Sequence, residues 1–356
     1  MKKDIKKKAI LVLENGATYE GVSCSVETER IAPVTFYTGV VGYEEVITNP
    51  ANAGKIIVMT YPNIGNYGVA NKFQESKHCW VEGMIIKENS RITSNWQAEC
   101  DFTDFIRQNK IPVFEAMDTR SIMIELRQTG EQFGIISTRD FNPQRLKRKI
   151  RQGKKELDFI KKISTKKIIQ GAVKGKRIGI IDIGVTNSLL NQLIKLRCKP
   201  ILIPYQAESF DILRLRVSKI IISDGPEMDK SSYIVADTVE QLLGKLPILG
   251  IGTGCQILAV ALGAKIKRMH LGHHGVNYPI VEPKSFKGEI SVQNHSCVIN
   301  EATIKNKGIE VTWRNLNDKT IEGIQNKRLK AYGFQFYPAP PGVGEVNQIL
   351  KELVNA

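Results

Sequence analysis

One segment of the chain has the residue pattern of a nucleophile elbow, the sharp turn that presents a Ser or Cys above a parallel sheet. Residues 247–256 read as an apolar strand, a glycine-rich turn and the start of a helix, and Gly250 and Gly254 flank the turn at the required spacing. Such a turn serves acyl transfer, because its backbone N–H groups stabilise the oxyanion formed when the nucleophile attacks. The nucleophile position, however, holds Gly252. The sequence therefore predicts the frame of an acyl-transfer site without its reactive atom.

The same glycines could instead belong to a dinucleotide-binding fingerprint. That motif requires Gly-x-Gly-x-x-Gly after the first strand of a sheet. Here Cys255 occupies the position of the last glycine, and the segment follows the fourth predicted strand of its domain. Both differences favour the elbow.

Length and composition indicate a two-domain globular protein. The chain has 356 residues, of which 42% are hydrophobic and 24% charged, enough for two cores. No apolar run approaches the ~20 residues that span a bilayer, and the basic N-terminus leads into a strand rather than a signal peptide. The six cysteines form no Cys-x-x-Cys pair and no zinc-type spacing with histidine. We therefore predict a cytoplasmic protein with reduced thiols, no metal site and no membrane contact.

The net charge of +15 is concentrated in one segment. Residues 145–177 carry fourteen lysines and arginines against Glu156 and Asp158, a net charge of +12. Nucleic-acid binding would favour aromatic side chains among these charges, and Phe159 is the one aromatic residue there. We interpret residues 146–176 as a solvated basic linker. Alternatively, the segment could bind an acidic face on a partner subunit. Binding to a nucleic acid is a further alternative, which the composition favours less.

This segment separates two domains of different character. Residues 1–145 mix short strands with glycine and proline turns, and one helix is predicted after Asp118, which can cap its first turn. Residues 177–356 alternate apolar strands with helices, which is typical of a parallel sheet covered on both faces. The predicted fold class is α/β, a mixed α/β domain followed by a doubly wound domain. Gly252 lies at the carboxyl end of a strand, where such folds bind ligands.

Motifs along the whole chain resemble one family. The first domain contains Phe-Tyr-Thr-Gly-Val-Val-Gly-Tyr-Glu-Glu at residues 36–45 and Thr-Tyr-Pro-Asn-Ile-Gly-Asn at 60–66. The second contains Gly-His-His-Gly-Val-Asn-Tyr-Pro at 272–279 and Gln-Asn-His at 293–295. On these motifs the chain resembles the small, glutamine-hydrolysing subunit of carbamoyl-phosphate synthetase, and its second domain is similar to class I glutamine amidotransferases. We interpret the paired histidines of the third motif as structural.

The resemblance implies a catalytic triad whose three positions are all changed in this chain. The family uses a Cys to attack the glutamine amide, a His as base and a Glu that orients the His. The nucleophile position is Gly252, the base position is Tyr337 and the orienting position is Ala339. Since all three functional groups are missing, we predict that the chain does not hydrolyse glutamine.

The glutamine pocket implied by the resemblance is partly retained. The family's Ser-Asn-Gly-Pro-Gly-Asp-Pro loop is Ser-Asp-Gly-Pro-Glu-Met-Asp at residues 223–229, so Glu227 replaces a glycine. A carboxylate there would crowd the pocket and repel the α-carboxylate of glutamine. A Ser-Cys pair also stands where the family has Gly-Phe. The positions that correspond to the pocket are Gly39, Gly225, Glu227, Thr253, Gln256, Asn294, Ser296 and Cys297.

Three residues near the site could supply replacement chemistry. Cys255 lies about one helical turn beyond the elbow and could act as a displaced nucleophile. His295 could act as a base and pair with Cys297, since residues two apart on a strand share a face. We favour structural roles, with Cys255 packed beneath the helix and the other two packed side by side. Tyr337 is expected to fill the vacated catalytic space.

The resemblance also implies a role within a two-subunit enzyme. In the family, the small subunit docks onto a large synthetase subunit and delivers ammonia to it through a tunnel. The large subunit consumes ATP and bicarbonate to make carbamoyl phosphate for arginine and pyrimidine synthesis. We therefore expect no cofactor in this chain, because ATP and Mg²⁺ would belong to the large subunit.

Three functional hypotheses follow. The first is a structural or tunnel-closing subunit that lacks glutaminase activity. The second is a small-molecule-binding or regulatory paralogue, for which Glu227 suggests a cationic or amine-bearing ligand. The third is that the altered site catalyses a different reaction.

Overall fold

Two compact units divide the chain. One comprises Met1–Glu156 with His270–Gly272, and the other comprises Leu157–Met269 with His273–Ala356. A computed structural model describes residues 7–154, 158–342 and 344–355 of the sequence. We call the two parts the first unit and the second unit.

The first unit is built around a closed barrel of seven strands within its described residues. The strands of this unit are β1 Lys7–Leu13, β2 Thr18–Ser23, β3 Glu29–Tyr37, β4 Ile56–Met59, β5 Asn63–Ile64, β6 Gly83–Ile85, β7 Glu88–Asn89, β8 Val113–Glu115 and β9 Gln132–Ser137. The barrel order is β1-β2-β8-β6-β4-β3-β9, with β9 paired to β1, while β5 and β7 form a separate small sheet. Alternating apolar residues such as Leu11, Val34 and Ile136 form one continuous cluster across these strands.

Helices cover the strands of the first unit. Their bounds are α1 Tyr43–Thr48, α2 Phe102–Gln108, α3 Thr119–Thr129 and α4 Pro143–Gly153. Helix α3 starts where the sequence predicts, because the carboxylate of Asp118 accepts a hydrogen bond from the Ser121 N–H at 3.0 Å.

Helix α4 lies partly in the segment interpreted as a basic linker. Its residues Leu146 and Ile150 are fully buried in the first unit. Lys149 also lies 2.7 Å from the carboxylate of Glu29. The beginning of the segment is therefore a packed helix rather than a solvated linker. Its apolar residues, four apart, make one stripe that the surrounding lysines and arginines obscure in the sequence.

The second unit contains a ten-stranded sheet within its described residues. Its strands are β10 Ile169–Gln170, β11 Lys176–Asp182, β12 Cys198–Pro204, β13 Lys219–Ile222, β14 Ile248–Ile251, β15 Ile266–Val281, β16 Gly288–Ile299, β17 Glu310–Asn315, β18 Ile321–Asn326 and β19 Ala331–Phe334. The order is β10-β12-β11-β13-β14-β19-β18-β17-β15-β16. The five strands from β12 to β19 in this order run parallel.

Helices lie on both faces of the parallel part of this sheet. Their bounds are α5 Ile160–Ile163, α6 Asn187–Lys195, α7 Ser209–Arg214, α8 Ser232–Leu242, α9 Thr253–Ala261 and α10 Gln348–Asn355. Helices α7, α8 and α9 share one core cluster with Ile220 and Ile222, whereas α6 and α10 share another with Ile221. Successive strand residues thus face opposite helix layers, and the predicted doubly wound α/β fold is confirmed.

This topology places two loops side by side. Strands β13 and β14 are neighbours and run parallel, so residues 223–229 after β13 and the turn at Gly252 after β14 leave the same edge of the sheet. That edge is the one at which open α/β sheets bind ligands. Among the described residues, no helix has the length and apolar character needed to cross a membrane.

Candidate functional site

The turn after β14 has the backbone geometry of an elbow. Gly252 has φ 57° and ψ −122° and precedes the first residue of α9. Its N–H donates to the Phe334 carbonyl at 2.8 Å, which ties the turn to β19. A Cβ at Gly250 would overlap the Gly254 carbonyl, and a Cβ at Gly254 would overlap the Ile222 carbonyl. The flanking glycines are therefore required by close contact between strand and helix.

The carboxylate of Asp224 fills the space above Gly252. A Cβ on Gly252 would lie less than 3.0 Å from the Oδ1, Cγ and Oδ2 atoms of Asp224, a separation that real Cβ atoms do not show. Tyr337, which is expected to fill the vacated catalytic space, has its hydroxyl contacts at the start of α6. The Tyr337 hydroxyl lies 2.8 Å from Thr186 Oγ1 and 2.7 Å from Ser188 Oγ, at the start of α6.

Asp224 also accepts the hydrogen bonds that an elbow offers to an oxyanion. The N–H of the residue after the nucleophile is a standard oxyanion donor, and here that residue is Thr253. The Thr253 N–H donates to Asp224 Oδ1 at 2.9 Å, and the Gly225 N–H donates to the same oxygen at 2.8 Å. The Thr253 hydroxyl donates to the Gly225 carbonyl at 2.7 Å and holds the two segments together. A carboxylate oxygen of the chain itself thus sits where a reaction oxyanion would be stabilised.

Glu227, in the same loop, occupies a second site nearby with its own carboxylate. Its side chain is buried, and Oε1 accepts hydrogen bonds from Gln256 Nε2 at 2.8 Å and from the Cys297 N–H at 3.0 Å. Oε2 accepts from the Ser296 N–H at 2.7 Å. Three of the predicted pocket residues, Gln256, Ser296 and Cys297, therefore converge on the carboxylate of a fourth, Glu227.

Asp229 anchors the end of this loop. Its Oδ2 accepts hydrogen bonds from the Phe159 N–H at 2.6 Å and the Ile160 N–H at 3.2 Å, and its Oδ1 accepts from the Ser231 N–H at 2.9 Å. Phe159 and Ile160 belong to the segment interpreted as a linker, so this part of it positions the loop. Three buried carboxylates, each bonded to backbone N–H groups, hold residues 223–229 in one conformation.

Comparisons with known proteins identify the family. The family model for the carbamoyl-phosphate synthase small chain, CPSase domain, matches residues 11–136, and that for class I glutamine amidotransferases matches residues 179–344. The carbamoyl phosphate synthase small chain of Listeria monocytogenes serotype 4b (strain F2365) is 33% identical over 348 residues, covering 98% of this chain and 96% of that protein. This chain belongs to the carbamoyl phosphate synthase small chain family.

Two further relatives agree with this assignment. The carbamoyl phosphate synthase pyrimidine-specific small chain of Bacillus subtilis (strain 168) is 32% identical over 345 residues, covering 97% of this chain and 94% of that protein. The small chain of Clostridium acetobutylicum is 32% identical over 349 residues, covering 98% of this chain and 99% of that protein. The resemblance inferred from the motifs is confirmed along nearly the whole chain.

The remaining positions predicted for the glutamine pocket have other partners. Asn294 Oδ1 lies 2.8 Å from Nδ1 of His274, and Nε2 of His274 lies 3.1 Å from Ser296 Oγ. Gly39 belongs to the first unit and is buried against the Tyr37 ring. The Ala339 N–H donates to the Tyr337 carbonyl at 2.8 Å in the loop after β19.

The candidate replacement residues have the structural surroundings that the sequence favoured. Cys255 is fully buried and packs against Gly333. Burial, with a smaller contribution from the Glu322 carboxylate, raises the pKa of the Cys255 thiol far above its ordinary value, whereas a nucleophilic thiol needs a lowered pKa. Nδ1 of the His295 imidazole lies 3.1 Å from the Cys297 carbonyl, so His295 contacts the backbone of Cys297.

We predict that Cys255 resists alkylation in the folded protein. Peptide mass spectrometry after iodoacetamide treatment should find Cys255 unmodified under native conditions and modified in urea, because reaction requires both access and the thiolate. The half-buried Cys24 provides an internal control for reagent activity. Rapid alkylation of Cys255 in the folded chain would indicate an activated nucleophile.

Proposed function

We propose that this chain is a small subunit of a cytoplasmic carbamoyl-phosphate synthetase that does not hydrolyse glutamine and serves to complete the complex with its large subunit and close the tunnel mouth. One observation carries the proposal. The backbone N–H groups around the elbow and pocket already bind two carboxylates of the chain, those of Asp224 and Glu227.

Competition for these donors argues against glutamine binding. A hydrogen bond from a backbone N–H to a charged group contributes roughly 1.5–3 kcal/mol, and Glu227 accepts three bonds from N–H groups. The Glu227 carboxylate is also part of the chain, so its effective concentration near these N–H groups is high, and free glutamine must compete with it. Glutamine would have to displace Glu227 and bring its own α-carboxylate close to two buried acidic side chains, which repel it.

The geometry of the elbow argues separately against hydrolysis. The position of the nucleophile has no side chain, and the volume that a thiol would need is taken by Asp224. The base position is Tyr337, whose hydroxyl is engaged by Thr186 and Ser188. A phenol with these partners does not replace an imidazole that must take a proton from the nucleophile and return it to the leaving amine.

Reconstitution with the large subunit tests the proposal. The purified complex should make carbamoyl phosphate from ammonium, ATP and bicarbonate, and should make none above background when glutamine replaces ammonium. Size-exclusion chromatography should show both chains in one peak, and the large subunit alone is the control. Glutamine-driven synthesis at a rate comparable to the ammonium-driven rate, or the absence of a complex, would refute the proposal.

The regulatory alternative receives less support from the site. A cationic ligand was suggested by the charge of Glu227, yet both oxygens of this carboxylate already accept hydrogen bonds in a buried environment. We expect polyamines and basic amino acids to leave the melting temperature unchanged in a thermal-shift screen. A saturable stabilisation by such a ligand, together with no binding to a large subunit, would favour the alternative.

A further inference from the structure

Three strands of the second unit bring two histidines and a glutamate together in its interior. His273 on β15 lies directly opposite His295 on β16, and Glu322 lies on β18. Their exposed fractions are 7%, 2% and 0%. His273 Nδ1 is 3.4 Å from Glu322 Oε1, His295 Nε2 is 3.4 Å from Glu322 Oε2, and one ligand atom from each residue lies within 4.8 Å of the others.

The neighbours of His273 determine which of its nitrogens carries the proton. Nε2 lies 3.0 Å from Asp318 Oδ2, and a carboxylate accepts hydrogen bonds, so Nε2 is the donor. Nδ1 lies 3.3 Å from the amide nitrogen of Asn315, a donor, which also places a lone pair on Nδ1. The lone pair of Nδ1 therefore lies on the side of Glu322.

The neighbours of His295 lead to the same arrangement. Its Nδ1 lies 3.1 Å from the Cys297 carbonyl, which can only accept, so Nδ1 carries the proton. The lone pair of Nε2 then points toward Glu322 Oε2. Neither His295 Nε2 nor Glu322 Oε2 makes a hydrogen bond with any described residue, although both are buried.

With both histidines neutral, the cluster gathers three acceptors. Although burial opposes it, Asp318 and Glu322 raise the pKa of His273 to about 9, so a proton competes with a metal ion for this place. Glu322 is fully buried, its other close polar neighbour is the Thr320 hydroxyl at 3.5 Å, and no lysine or arginine in the described ranges forms an ion pair with it. Burying a carboxylate against two imidazole lone pairs is costly unless a cation neutralises it, and that cation is either a proton on an imidazole or a metal ion.

We propose that His273, His295 and Glu322 bind a divalent transition-metal ion, with Zn²⁺ as the first candidate. Tetrahedral ligands at 2.0–2.1 Å from a Zn²⁺ ion are separated by about 3.4 Å. Both nitrogen–oxygen pairs have this spacing, each through a different oxygen of Glu322. The widest separation in the cluster, within 4.8 Å, would have to narrow when the ion binds. Two imidazoles and a carboxylate are a known zinc ligand set and are too nitrogen-rich for Mg²⁺ or Ca²⁺.

The outer contacts of the two histidines fit the same assignment. Metal-binding histidines donate their second N–H to a carboxylate or a backbone carbonyl, which sets the ring orientation. Here Asp318 does this for His273, and the Cys297 carbonyl does it for His295. The ion would tie three strands together beside Cys297, whose carbonyl contacts His295 and whose N–H binds Glu227. Its role would therefore be structural support of the site that Glu227 occupies.

Metal analysis of the whole chain tests the proposal. The protein, purified without a histidine tag, is stripped with a chelator, reloaded with Zn²⁺ or Co²⁺, desalted and measured by mass spectrometry of the metal. We expect about one ion per chain, a melting temperature that falls on stripping and recovers on reloading, and a visible Co²⁺ spectrum of tetrahedral type. A wild-type chain that retains neither ion and shows no change in melting temperature would overturn the proposal.

Variants assign the ligands. His295→Asn and Glu322→Gln should each abolish stoichiometric binding, and Asp318→Asn should weaken Zn²⁺ affinity roughly 10–100-fold by loosening the orientation of His273. His270→Asn is the matched control, because His270 is an exposed histidine on the same strand. Loss of the metal in His270→Asn, or its retention at full affinity in both ligand variants, would place the ion elsewhere and refute this site.

Discussion

Replacing Gly252 with cysteine is expected to destabilise the protein by about 3–5 kcal/mol without restoring glutamine hydrolysis. The new Cβ would overlap the Asp224 carboxylate, and Asp224 would have to leave the N–H groups of Gly225 and Thr253. The backbone at φ 57° and ψ −122° also strains any residue with a side chain. Even an accommodated thiol would lack a base, because Tyr337 stands in the position of the family histidine.

Two further variants separate the causes of this effect. Gly244→Cys also places a side chain at positive φ, but its Cβ would meet nothing closer than Leu329 Cδ2 at 3.5 Å, so we expect a loss of about 1 kcal/mol. The double variant Gly252→Cys/Asp224→Gly removes the overlap and should recover part of the stability, still without activity. Urea denaturation and a glutamate-release assay measure both quantities. A Gly252→Cys protein as stable as the wild type, or one that hydrolyses glutamine, would contradict this explanation.

Removing the Glu227 carboxylate is expected to cost about 2–4 kcal/mol and to create a binding site for small carboxylates. In Glu227→Ala, the N–H groups of Ser296 and Cys297 and the amide of Gln256 lose their acceptor. Acetate can enter the cavity and accept these hydrogen bonds, so it should raise the melting temperature of the variant in a saturable way. It should not do so for the wild type, whose donors are already engaged.

A matched control isolates the pocket effect from a general loss of acidic charge. Glu240 lies on an exposed face of α8, and Glu240→Ala should change the free energy of unfolding by less than about 0.5 kcal/mol. Chloride at the same ionic strength controls for salt. An equal response of Glu227→Ala and wild type to acetate would mean that Glu227 does not occupy a carboxylate site.

The two changes at the elbow are physically one change. A side chain at position 252 and a carboxylate of Asp224 in its present place exclude each other, since the two would overlap. A glycine at position 252 therefore leaves room for Asp224, and Asp224 in turn accepts hydrogen bonds from the N–H groups of Gly225 and Thr253. This coupling explains how the turn keeps its conformation without a side chain at position 252.

The parts of the site that the sequence predicts are those carried by local patterns. The elbow is apparent from Gly250 and Gly254, and the parallel sheet from uninterrupted apolar strands such as β13. The position of Asp224 was not predicted, although an aspartate where the family loop has asparagine was a visible signal. The orientation of the Asp224 side chain depends on the contact between two loops that are distant in the sequence. No local pattern encodes that contact.

The histidine–glutamate cluster was missed for a related reason. Its three members lie on separate strands, with more than twenty residues between one and the next, so no short spacing marks them. The sequence marks His273 as part of a structural motif and His295 as a candidate base near the pocket, and no motif marks Glu322. Only the register of β15 and β16 and the approach of β18 bring them together.

Glutamate release is the measurement that tests the central claim most directly. The chain, alone and in complex with its large subunit, is incubated with saturating glutamine, and glutamate is quantified over time against the large subunit alone. If carboxylates of the chain occupy the site and no nucleophile is present, no glutamate should form above that control. Turnover at an ordinary enzymatic rate, about 1 s⁻¹ or faster, that requires this chain would show that its pocket admits glutamine and that the account is wrong.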